Sequence, residues 1–179
     1  MAGGRQAEAH PVRRKAALIF ATVGSHPTFK FDRFLRALES VPNDDLIVQF
    51  GPGEPPANAR RAVPWMSFAE VVEHMERASH VVSHAGVGTI LCAVKAGQVP
   101  VVFPRLRQFS ETVDDHQLGL GQALAETGRV VLVEDAATLA SAIQQAPSRK
   151  SGSSLAGGDL VAAVRRELVG TSGGEGTSS

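Results

Sequence analysis

Six short runs rich in valine and isoleucine, AALIFATV, DDLIVQF, RRAVPW, HVVSH, QVPVVF and GRVVLV, recur between residues 16 and 133. Runs this short, apolar rather than alternating, are the pattern of strands buried on both faces. Most of the gaps between them carry helical periodicity. SFAEVVEHMERA sets Phe68, Val71, Val72 and Met75 on one face and Glu70, Glu73, His74 and Arg77 on the other, with Ser67 and Glu70 spaced as a capping box. FDRFLRALES, TILCAVKAG and DDHQLGLGQALAETG follow the same logic, the last two stopping at Gly97 and Gly128. Strand, helix and strand in this order, with short connections, specify an α/β chain: a mostly parallel sheet covered by helices on both faces. No internal repeat interrupts that alternation.

The 179 residues with 43% hydrophobic content suit one globular domain. Eighteen basic residues balance eighteen acidic ones, which speaks against nucleic-acid or membrane binding driven by charge. The lone Cys92 has no partner for an internal disulfide, suits a reducing compartment, and by its place in an apolar helix is expected to be a buried, inert thiol. The N-terminal MAGGRQAEAHPVRRK lacks a signal-type apolar segment, and AALIFATV is too short to span a bilayer, so a cytoplasmic chain is expected. The Gly/Ser-rich SRKSGSS and GTSGGEGTSS bury too little apolar surface to offset ordering entropy. These features divide the chain into a flexible tail (1–15), a folded domain (16–146), a linker (147–157), one amphipathic helix (158–169) and a disordered tail (170–179).

Parallel sheets of this kind bind ligands at the carboxyl ends of their strands. The loops there are GSHPTF, GPGEPP, SHAGVGT and PRLRQFSETVDDHQ. SHAGVGT, residues 83–89, sits at a strand-to-helix junction, where two glycines are costly to a first helical turn. A dinucleotide fingerprint would need a third glycine where Leu91 stands. A phosphate cradle fits better: Gly86 and Gly88 admit a ligand to the backbone, and the N–H groups of Gly88, Thr89 and Ile90 attract an anion. Thr89 adds a hydroxyl, and His84 an imidazole N–H that would bind more strongly if protonated. The plainer alternative is a tight turn with a satisfied histidine. The long polar loop after the fifth run offers Arg105, Glu111, Asp114, Asp115, His116 and Gln117 as hydrogen-bonding groups for a sugar, with Asp114 or Asp115 capping the next helix. Asp115 and Gln117 lack the further ligands of a metal cage.

SHAGVGTI (83–90), PVVFPRLRQFSETVDDHQL (100–118) and TVGSHPTFKFDRFLRAL (22–38) together resemble the nucleotide-sugar-binding half of a GT-B glycosyltransferase, of the family 28 C-terminal type. The likeness is greatest to small bacterial subunits of exopolysaccharide and capsule synthesis, relatives of the catalytic subunit of the split UDP-GlcNAc transferase of lipid-linked oligosaccharide synthesis. It implies a Rossmann-like fold, a UDP-sugar as donor substrate, and neither cofactor nor metal. It also implies that His84, Ala85 and the backbone of Gly86, Val87, Gly88 and Thr89 hold the donor diphosphate, with Gly24, Ser25 and His26 closing over it. Asp115, His116 and Gln117 match the family's Asp-His-Gln, in which the glutamine touches the donor sugar. The family's ribose-binding glutamate is replaced here by Cys92, which leaves ribose to another residue such as Glu111, with Arg105 also among the donor contacts.

A half-fold implies a partner: a membrane-associated subunit that brings a lipid-linked acceptor and recruits the chain to the inner face of the membrane. Transfer would invert the anomeric centre, with backbone dipoles stabilising the departing diphosphate. His26 is this chain's candidate general base, against the plainer role of a loop histidine that orients the phosphate loop or faces solvent. Two other classes stay open: a non-catalytic accessory subunit supporting a partner transferase, and a nucleotide-sugar epimerase, which would need both domains in one chain.

Overall fold

The computed structural model describes residues 17–42 and 45–147. The tail over 1–15, the helix over 158–169 and the tail over 170–179 lie outside them, as does all but the first residue of the linker. All six apolar runs form strands: β1 (Ile19–Thr22), β2 (Leu46–Gln49), β3 (Arg61–Val63), β4 (His80–Ser83), β5 (Val101–Val102) and β6 (Val131–Leu132). They make one parallel sheet in the order β3-β2-β1-β4-β5-β6.

The four helices expected within the folded domain are α1 (Asp32–Leu38), α2 (Phe68–Arg77), α3 (Val87–Lys95) and α4 (His116–Glu126). A fifth, α5 (Leu139–Gln145), was not read from the sequence. Strand alternation sends Ile19, Ala21, Leu46 and Val48 to one face, where Phe34, Leu38, Leu139 and Ile143 of α1 and α5 cover them. Phe20, Ile47 and Val81 point the other way, onto Met75 of α2 and Ala93 of α3. Val102 meets Ile90, Leu120 and Leu124 of α3 and α4 on that same face. Helices therefore cover both faces of the sheet, as the alternation required.

The α2 start follows the sequence reading: Ser67 Oγ accepts the Glu70 amide, and the Glu70 carboxylate accepts the Ser67 amide at 2.8 Å. The apolar face of α2 needs correction. Met75 is fully buried, but Phe68 is 73% exposed, because the N-terminal end of that face meets a cavity rather than a packed layer. His74, placed on the polar face, instead stacks its ring on Phe20, the centroids 5.2 Å apart.

Candidate functional site

The strand order reverses between β1 and β4, and parallel sheets open a crevice there. A cavity of about 340 Å³ occupies this place. Thr22 and Gln49, at the ends of β1 and β2, form its floor with Gly24 and Ser25; Gly88, Thr89 and Cys92 of α3 form one wall, and Met66, Phe68, Val71 and Met75 the other. Thr22 Oγ1 donates to Gln49 Oε1 at 2.8 Å and accepts the Gly24 amide at 3.0 Å, so the floor is braced by its own hydrogen bonds.

The first turn of α3 faces this space. Gly86 is its N-cap, with no side-chain cap, and Ile90 is bonded back to the Gly86 carbonyl at 3.0 Å. The sequence reading that offered the Ile90 amide to a ligand is therefore corrected: that donor is used inside the helix. The amides of Val87, Gly88 and Thr89 precede the first intrahelical bond and carry the positive end of the helix dipole. A Cβ on Gly88 would meet nothing within 4 Å, so this glycine keeps open the space in front of those amides. Ala85 is fully buried and Val87 packs beside it against the α3–α4 core; both offer the site backbone alone.

Gly86 plays a different part from the one expected. A Cβ there would collide with Nε2 of His84, and one on Gly24 with Cε1 of the same ring. The imidazole thus fills the room that two glycines leave, and Gly24, at φ +83°, also holds a backbone conformation that side chains disfavour. Burial, and secondarily the nearby Arg105 charge, hold the His84 pKa down to about 3. The ring is neutral at pH 7, so it lacks the charge that would strengthen a bond to phosphate. It lies outside the cavity wall and packs the two loops that form it, with Nδ1 buried and unpartnered among the described residues.

Arg105 and Glu111 are also corrected. The Arg105 guanidinium donates to four backbone carbonyls, those of Val23, Phe29, Lys30 and Glu111, at 3.0–3.2 Å. Burial lowers its pKa to about 10, so it stays charged while stapling the first loop to the long one. The Glu111 carboxylate takes Arg33 in a two-point bond, at 2.8 and 3.1 Å, and the Leu106 amide at 3.0 Å. Arg33 in turn donates to the Pro104 carbonyl at 2.7 Å and lies over the Phe103 ring, 4.2 Å from its centroid. Neither charged group is left for a sugar.

The Asp-His-Gln residues brace the same loop. Asp115 Oδ1 accepts the Arg107 amide at 2.8 Å, and Gln117 Oε1 the Arg105 amide at 3.2 Å. Of the two aspartates proposed as caps, Asp114 is the one whose carboxylate accepts the His116 amide, at 3.2 Å, and it also pairs with His116 Nδ1 at 2.9 Å. His26 accepts the Thr28 and Phe29 amides on Nδ1, at 3.3 and 3.5 Å. These bonds turn the ring toward its own loop, and His26 is not among the residues that line the cavity.

Of the residues singled out in the sequence, Gly24, Ser25, Gly88 and Thr89 line the cavity. Cys92 lines it too, half-buried and packed against the Phe20–Met75 core cluster, where the expectation was a fully buried thiol. Sequence reasoning missed Thr22, Gln49 and Met66; the available signal was a polar residue at the carboxyl end of each of two apolar runs. Among the described residues no cluster of histidine, cysteine and carboxylates could hold a metal, and no helix is long and apolar enough to cross a membrane.

The family model for the glycosyltransferase family 28 C-terminal domain matches residues 18–152. No curated protein matches the chain. Among solved structures it is similar to the glycotransferase of kitacinnamycin, with 23% identity and TM-score 0.50 over 93% of this chain and 43% of that one. A second similarity, to the glycosyltransferase SnogD from Streptomyces nogalater, has 20% identity and TM-score 0.46, over 96% of this chain and 42% of that one. The first likeness supports the α/β architecture. The chain spans less than half the length of either protein.

Proposed function

The chain belongs to the glycosyltransferase family 28 C-terminal domain family, and from that premise we propose that it is the donor-binding subunit of an inverting hexosyltransferase. In this reading it takes a UDP-sugar and transfers the hexose to a lipid-linked (polyprenyl diphosphate) saccharide in exopolysaccharide or capsule synthesis. The observation that carries the proposal is the cavity at the reversal of strand order, with the Gly88 and Thr89 backbone in its wall. Free amides at a helix start bind a diphosphate, and the apolar wall of Met66, Phe68 and Val71 suits the face of a base.

Chemically, the amides of Val87, Gly88 and Thr89 meet the charge that grows on the diphosphate as the anomeric bond breaks. They are fixed before the substrate arrives, because α3 is anchored by the Ile90 bond and the α3–α4 core. Ser25, on the loop from β1, adds a hydroxyl donor from the floor of the cavity. Deprotonation of the acceptor hydroxyl, worth roughly 10²- to 10⁴-fold, falls to a membrane-associated partner that holds the acceptor. The chain's span of 43% of a matched glycosyltransferase is consistent with a site completed by other residues.

The test is calorimetric titration of the chain with UDP, UDP-glucose, UDP-galactose, UDP-GlcNAc and UDP-glucuronate, with ADP and NAD as controls. UDP-selective binding, abolished by Gly88→Leu in a chain that remains folded, is the expected result. Absence of nucleotide binding, alone and with the co-expressed partner, would favour the accessory-subunit alternative.

A further inference from the structure

We propose that Gln49 selects the nucleobase: its side-chain amide donates to the 4-carbonyl of a uracil-type base, so that a base with an amino group at that position is disfavoured. The inference rests on the donor-site reading above and names a residue that gives it specificity.

Gln49 pairs with Thr22 in the parallel register of β1 and β2, and both side chains emerge on the face that α2 and α3 cover. Gln49 is 3% exposed and Thr22 1%. The Thr22 oxygen accepts the Gly24 amide, so its own proton needs a separate acceptor, and Gln49 Oε1 at 2.8 Å is that acceptor. This bond fixes which way round the Gln49 amide lies. Its Nε2 is turned away from Thr22 on a residue that lines the cavity, and it donates to no other group among the described residues. A buried donor left unpaired costs free energy, which a ligand that accepts from it recovers.

Position decides which part of the ligand does so. The diphosphate lies on the amides that open α3, directly after β4, whereas Gln49 ends β2, two strands away across β1 and about 10 Å distant in the hydrogen-bonding direction. A nucleoside is the part of the ligand long enough to cover that distance. Met66, Phe68, Val71 and Met75 take the face of the base, and none of these side chains has a hydrogen-bond donor for its edge. On a pyrimidine nucleotide the 4-position lies across the ring from the glycosidic nitrogen, so it reaches furthest from the diphosphate. With Oε1 committed to Thr22, Gln49 acts as a donor alone. A carbonyl oxygen satisfies it; an amino group in the same place sets donor against donor and leaves Nε2 unpaired.

The test is calorimetric titration of the full chain with UDP and with CDP, whose bases differ at the 4-position and the ring nitrogen beside it, and with inorganic pyrophosphate, which has no base. A preference for UDP over CDP of about tenfold or more is expected. Affinities within about threefold of each other, or a preference for CDP, overturn this inference while leaving the donor site in place; binding of neither nucleotide overturns both. In Gln49→Met, which keeps the length of the side chain and loses the amide, the UDP preference is expected to fall to within about threefold while pyrophosphate affinity is unchanged. A preference retained in that folded variant, or an equal loss of all three ligands, would overturn the role given to Gln49. The wild-type comparison needs no variant to fold.

Discussion

His84 and the glycines around it show why two residues of one motif have opposite tolerances. Gly86→Ala drives a methyl into the imidazole and is expected to lower stability by about 1–3 kcal/mol in urea denaturation. Gly88→Ala enters open space and leaves stability unchanged or slightly raised, since alanine favours a helix. The histidine itself carries a pH signature. Its folded pKa of about 3 lies below the ordinary 6.5, so the unfolded chain binds the extra proton. Stability is complete above about pH 6.5 and falls as pH drops toward 3, by up to about 1.4 kcal/mol per unit from this residue. Burial lowers the pKa of His74 and His80 as well, so they add in the same direction. An NMR titration isolates His84: its ring protons are expected to stay unshifted down to pH 5, and a midpoint near 6.5 would contradict the buried packing.

At the scale of elements, two arginines make one unit of the loops beside the site. Arg105 serves four carbonyls, a task one ammonium cannot match, so Arg105→Lys is expected to cost roughly 2–4 kcal/mol in urea denaturation. The capping box of α2 is separable from this. Ser67→Ala should cost about 1 kcal/mol and leave nucleotide affinity unchanged, as measured by denaturation and calorimetry, because Ser67 is outside the cavity wall. The capping box was legible because both partners lie within four residues. The arginine staples were not: Arg33 and Glu111 are 78 positions apart, and nothing local says that a charged residue in a long loop is already paired. Polar residues there were read as sugar contacts when most of them hold the loop together.

For the whole molecule, the apolar runs named every strand among the described residues, since burial on both faces leaves a continuous hydrophobic signal. The fifth helix escaped because only Leu139 and Ile143, one turn apart in an alanine-rich segment, mark its buried side. The crevice followed from strand order, which alternation alone does not settle, and its apolar wall came from a helix face that sequence reasoning had assigned to the core. A second depression, lined by Glu39 to Pro42 and Asn58 to Arg60, lies elsewhere on the molecule. The most direct measurement is therefore amide chemical-shift mapping of the isotope-labelled chain titrated with UDP. The largest shifts are expected at Ser25, Val87, Gly88, Thr89 and Cys92; shifts centred instead on Glu39, Val41, Asn58 and Arg60, with those amides unmoved, would contradict donor binding in the crevice.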